Sequence, residues 1–142
     1  MLLLASTSPY RRALLDRLGV PYRALAPRGD EEHDGSLAPE ALASMLARRK
    51  ADSLAGEAEF ILAGDQLVAL DEEVLGNPGT EERAVAQLMR LSGRTHRLIT
   101  AVTLRDASGH HSELIDVHHM RMRALDESAI RRYVARDRPL DC

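Results

Sequence analysis

Cysteine is nearly absent. The 142-residue chain holds one, Cys142, so no disulfide can close within it, and this usage fits a reducing compartment. Tryptophan is missing and aromatic residues make up 3% of the chain, which leaves Leu, Val, Ile, Ala and Met to build a core. Long apolar runs are lacking too. The run from Met1 to Ala5 is far shorter than the ~20 residues that span a bilayer, and it has no basic flank or apolar stretch of signal-peptide length. The expectation is a soluble, cytoplasmic protein with no membrane partner. There is no basic excess: 19 Lys and Arg stand against 22 Asp and Glu, for a net charge of -3, so no nucleic-acid partner is expected. Walker and dinucleotide-type glycine motifs are absent, and Ser8 does not sit in a nucleophile elbow. The six histidines have no zinc-like spacing. His118 and His119 are neighbours on an expected strand and therefore point to opposite faces.

What remains is a chain that is 44% hydrophobic, enough for one domain with one core. Met1 to Ala5 reads as a buried strand that feeds the polar cluster Ser6-Thr7-Ser8. A helix follows, with Ser8 as cap, Pro9 in its first turn and Gly19 as terminator; Leu14, Leu15 and Leu18 would form its apolar face. Residues 21 to 36 read as loop with a short strand, and Pro39 to Leu54 as a helix. Phe60 to Leu70 reads as an apolar strand interrupted by Gly64-Asp65-Gln66, with Val74-Leu75 pairing back across a turn. Thr80 caps a helix to about Leu91 that stops at Gly93. Two strands, His96 to Leu104 and Ser112 to Arg123, meet around Ser108-Gly109, and Asp126 caps a last helix. The order implies an α/β fold with a mixed twisted sheet and flanking helices.

Four groups could carry chemistry. Ser6-Thr7-Ser8-Pro9-Tyr10-Arg11-Arg12 puts hydroxyls, free helix-start N–H groups and two guanidinium forks together, which suits an anion; the same residues also describe an ordinary capped helix with surface arginines. Asp65, with Gln66, breaks an apolar strand, and a buried carboxylate there can activate water or hold a metal; the alternative is a strand end turning to solvent. Asp30, Glu31, Glu32 and Asp34 offer hard oxygen ligands, or a solvated charge run. Lys50 follows Arg48 and Arg49 on the second expected helix, where a solvated face is the strong alternative.

Together these residues resemble the Maf-like family of nucleoside triphosphate pyrophosphatases. The resemblance runs in order along the whole chain: Leu3 to Leu15 as the opening signature, Asp30-Glu31, Ala47 to Ala51 around Lys50, Gly64-Asp65-Gln66, Leu91-Ser92-Gly93 with His96 and Thr100, and Ile130 to Tyr133 with Arg138-Pro139-Leu140. It implies a two-lobed architecture like that of inosine triphosphatases, commonly homodimeric, and cleavage of a nucleotide to its monophosphate and pyrophosphate. It also implies roles. Asp65 would be the general base, and Ser8, Arg11, Arg12 and Lys50 would hold the triphosphate. Glu31 would hold a divalent cation, Mg²⁺ or Mn²⁺. An aromatic Tyr10 and an Asp-Gln pair resemble the branch acting on 7-methyl-GTP rather than the dTTP/UTP branch, with Tyr10 and Gln66 setting specificity. A cationic methylated base suits an aromatic face, and an amide suits a base edge.

Two departures stand out. The family's Gly-Lys-Pro is Gly76-Asn77-Pro78 here, one phosphate-directed charge fewer. The family's last segment, beyond Cys142, has no counterpart, so residues 1–142 are expected to form a single Maf-like domain that is incomplete at its C-terminal side. These departures also admit a non-catalytic nucleotide-binding regulator or a degenerate family member.

Overall fold

A computed structural model of the chain describes residues 1–29 and 35–139. The elements in chain order are β1 (Leu2–Ala5), α1 (Pro9–Asp16), β2 (Tyr22–Leu25), α2 (Pro39–Asp52), β3 (Phe60–Leu70), β4 (Glu73–Leu75), α3 (Glu81–Leu91), β5 (Thr95–Arg105), β6 (His111–Arg121) and α4 (Glu127–Asp137). The sheet order is β2-β1-β3-β5-β6, with β4 paired to β3. β1 is parallel to both neighbours, placing Leu2 opposite Tyr22 and Phe60, whereas β4 runs antiparallel to β3 with Ala69 opposite Val74. The sheet is therefore mixed, and the fold is α/β as the element order implies. Parallel neighbours need crossovers, and α1 and α2 supply them between β1, β2 and β3.

The chain divides into two compact units, Met1–Gln66 with Ile99–Asp116, and Leu67–Leu98 with Val117–Cys142. In the first unit Leu3, Ala5, Ala51, Leu54, Ile61 and Ala63 form a buried cluster, with Leu25 and Ala58 against it. Its small residues let α2 approach β1 and β3 closely. In the second unit Ala84 and Val85 of α3 pack with Ile130 and Val134 of α4. The helix starts follow their capping residues: the side chains of Ser8, Thr80 and Asp126 each accept a backbone N–H three residues on, removing one orphan donor from each first turn.

Two expectations need correction. β3 is a continuous strand of 11 residues, not one broken at Gly64-Asp65-Gln66. Extended backbone tolerates a polar residue on its buried side when a partner meets it, as Asp65 shows below. The proposed apolar face of α1 is also not a core face: Leu15 is buried, but Leu14 is 61% and Leu18 71% exposed. Helical spacing identifies a stripe without identifying what covers it. Among the described residues no helix is long and apolar enough to cross a membrane.

An ion-pair cluster links α2 to the β5–β6 hairpin within the first unit. Arg48 grips the Glu113 carboxylate through both its Nε and its Nη2, the latter at 2.7 Å. Asp52 accepts from Arg105 Nε at 2.9 Å and lies 2.7 Å from His111 Nε2. The Arg48 guanidinium holds the Glu113 carboxyl below its ordinary value. A depressed carboxylate contributes stability above its unfolded pKa, and loses it as pH falls through the folded one. The gain is small, because Arg48 is half exposed and solvent screens the pair. Thermal melts of Glu113→Gln and the parent chain should converge on acidification below about pH 4, with the parent losing more; parallel curves would remove the pair from the stability account.

Candidate active site

The site is built on three consecutive residues of β3, each held by a different element. The first is Gly64. Its carbonyl oxygen accepts from Arg11 Nη1 at 2.8 Å, which ties the first turn of α1 to the middle of the strand. A Cβ at this position would lie 3.3 Å from the Ala101 carbonyl oxygen and 4.0 Å from Arg11 Cζ. Glycine here thus serves close approach rather than an unusual φ. Gly64→Ala should cost about 1–3 kcal/mol through forced displacement of β5 backbone, read as a lowered midpoint in urea; an unchanged midpoint would show that the strand yields freely.

The second residue is Asp65, 6% exposed. Strand alternation turns its side chain to the buried face, where Oδ1 accepts from Lys50 Nζ at 2.7 Å. Their side chains are 8% and 16% exposed. Lys50 sits in the last turn of α2, so the helix that packs through Leu46, Ala47 and Ala51 also delivers an ammonium to the strand. A carboxylate this deeply buried requires such a cation. The solvated-face alternative for Lys50 and the strand-end alternative for Asp65 both fall.

The third is Gln66, exposed and, by alternation, on the opposite face from Asp65. Its Nε2 donates to Thr100 Oγ1 on β5 at 3.1 Å. Sequence reasoning placed Thr100 in a matching stretch but gave it no role. The bond joins residues 34 apart in the chain, and no local pattern announces it.

The hydroxyl-rich turn before α1 is self-satisfied in part. The Ser6 hydroxyl, buried beyond the end of β1, accepts from Ser8 N at 3.0 Å, and Ser8 Oγ accepts from Arg11 N at 3.4 Å. Arg12 N bonds Ser8 O at 3.2 Å. Pro9 has no N–H, so of the first turn only the Tyr10 amide is left uncommitted by these bonds. Arg12 points outward, and Tyr10 is 83% exposed, accessible to a planar ligand. Structure thus brings Arg11, Lys50 and Asp65 to one stretch of β3, with Ser8 capping the helix that carries Arg11, and leaves Gln66 on the opposite face of the strand. Glu31 lies outside the described residues.

In the second unit, Asn77 is exposed in the loop between β4 and α3. That loop is anchored by Gln87 Nε2, which donates to the Gly76 carbonyl at 2.6 Å.

Among the described residues no three His, Cys, Asp or Glu side chains converge as a metal cage. A hard cation that travels with a triphosphate takes only one or two protein carboxylates and completes its shell with phosphate oxygens and water. The Asp65 carboxylate is a donor of that kind, so the described residues fit a cation held jointly with substrate.

Residues 1–142 match the family described as Maf-like protein. A 7-methyl-GTP pyrophosphatase of Bdellovibrio bacteriovorus is 46% identical over 99% of this chain and 75% of its own length. One from Pseudomonas aeruginosa is 41% identical, with the same coverage of each chain. Among solved structures, a nucleoside-triphosphatase/dITP/XTP pyrophosphatase from Mycobacterium abscessus superimposes with a TM-score of 0.56 at 21% identity, covering 83% of this chain and 71% of that one. The Ham1 protein of Staphylococcus aureus gives 0.56 at 15% identity, covering 83% and 69%. At these identities the two structures speak for the fold.

Proposed function

The chain belongs to the Maf-like family, and from that premise we infer that it is a nucleoside triphosphate pyrophosphatase, with 7-methyl-GTP as its preferred substrate. The observation that carries the reading is the buried Lys50–Asp65 pair at 2.7 Å, placed on β3 beside the carbonyl that Arg11 holds. A water molecule attacks the α-phosphorus, Asp65 accepts its proton, and the bond from the α-phosphorus to the bridging oxygen breaks, releasing pyrophosphate and the nucleoside monophosphate. Incoming phosphate competes for the Lys50 ammonium, which both binds the anion and releases the Asp65 carboxylate to act as base. Arg11 spends one donor on Gly64 and keeps the rest of its fork for phosphate oxygens; Arg12 and Ser8 complete the anion contacts. A divalent cation, Mg²⁺ or Mn²⁺, would be held by Glu31, by Asp65 and by the phosphates, and when bound it neutralises phosphate charge. Tyr10 offers its face to the cationic base, and Gln66 reads the base edge.

The support for 7-methyl-GTP is the substrate named for both relatives at over 40% identity, together with Tyr10 and Gln66 in this chain. Initial rates on 7-methyl-GTP, GTP, dTTP, UTP and CTP test it. The first should have the highest kcat/KM; a lead for dTTP and UTP would move the chain to the other branch. Asparagine at position 77, where the resemblance expects lysine, favours a second reading, a nucleotide binder without turnover, which tight binding with no hydrolysis of any of the five would establish.

A further inference from the structure

Thr100 is a positioning residue for base recognition in the account we propose, an inference that rests on the pyrophosphatase reading above. The Gln66 side chain is exposed, yet its Nε2 donates to Thr100 Oγ1 at 3.1 Å. A primary amide carries two N–H donors on nitrogen and an acceptor oxygen. The proposal commits the N–H anti to Oε1 to Thr100, which leaves the syn N–H and Oε1 as the edge offered to a base. That edge is a donor beside an acceptor in fixed order. It complements a carbonyl next to a ring N–H, the pattern of guanine's O6 and N1–H and of the O4 and N3–H of uracil and thymine. With the base held in the same pose by its triphosphate, adenine and cytosine present the reverse order, an amino group next to a bare ring nitrogen, and leave both partners mismatched. Methylation at N7 leaves O6 and N1–H in place and makes N1–H a stronger donor. The tether therefore selects oxo nucleotides as a class over amino nucleotides, and Tyr10 separates members within that class.

The test compares kcat/KM for 7-methyl-GTP and GTP with that for ATP and CTP in the parent chain, Thr100→Val and Thr100→Ser. The parent should favour the oxo pair. Thr100→Val frees the amide to turn over and should narrow the preference roughly ten- to a hundredfold, the scale of one bidentate base contact, mainly through KM. Thr100→Ser keeps the hydroxyl and should retain the preference, which a loss of strand packing alone would not predict. An unchanged ranking in Thr100→Val overturns the proposal. So does a parent that favours ATP and CTP, the result expected if Thr100 instead donates to Oε1 and the outward edge is reversed. Calorimetric affinities for the same four nucleotides read the ratio without turnover, so a chain that binds but does not hydrolyse refutes the pyrophosphatase reading and still decides this one. Equal affinity for all four, or for none, overturns it.

Discussion

Asp65→Asn should lower the rate of pyrophosphate release by a factor on the order of 10² to 10⁴, the usual contribution of a positioned general base, and leave the chain folded. Asparagine is nearly isosteric and keeps a carbonyl oxygen for Lys50 Nζ, so the 2.7 Å contact changes from an ion pair to an ion–dipole bond. What it loses is the ability to accept a proton from water and the negative charge that helps hold a cation. The cost to stability is smaller than deletion of Lys50 would bring, because that change leaves a carboxylate at 6% exposure without its ammonium partner, a defect of about 3–5 kcal/mol. The two substitutions therefore separate chemistry from folding. Asp65→Asn should melt close to the parent and be nearly inactive; retention of more than about a tenth of parental kcat by a folded variant would remove Asp65 from the role of base.

The second large effect is a gain. Asn77 stands where the resemblance places a phosphate-directed lysine. An exposed loop residue whose neighbouring carbonyl is anchored by Gln87 can be exchanged without disturbing a core. Asn77→Lys should raise kcat/KM about ten- to a hundredfold, since one charge-assisted hydrogen bond is worth about 1.5–3 kcal/mol. Because the added contact is electrostatic, the gain should shrink as ionic strength rises from low to physiological. A variant no faster than the parent at low salt would show that a charge at position 77 does not assist turnover in this chain.

The strand, loop and helix at the start of the chain were legible because their signals are local. An apolar run ends at Ala5, Ser8 caps, and Pro9 can occupy a first helical turn. The same holds for Thr80 and Asp126, whose cap bonds appear where the residue type predicts them. The continuity of β3 was hidden, because Asp65 breaks its apolar run and the partner that makes its burial tolerable, Lys50, arrives from α2. Gln66 and Thr100 are likewise joined only once β3 and β5 lie side by side. The α1 stripe misled for the opposite reason: Leu14 and Leu18 have core-like spacing but lie exposed, and spacing carries no information about what an element packs against. Of the candidate site, the acid and the arginine stand out by type and order, and the lysine only through the family resemblance. Their convergence on Gly64-Asp65-Gln66 is tertiary information.

The most direct test of the central claim is product analysis in ¹⁸O-water with 7-methyl-GTP and Mg²⁺ or Mn²⁺. Attack at the α-phosphorus predicts equal amounts of 7-methyl-GMP and pyrophosphate, with the label in the monophosphate alone. Label in pyrophosphate would place the attack on the β-phosphorus, and a diphosphate with labelled orthophosphate would place it on the γ-phosphorus; either result would contradict the account.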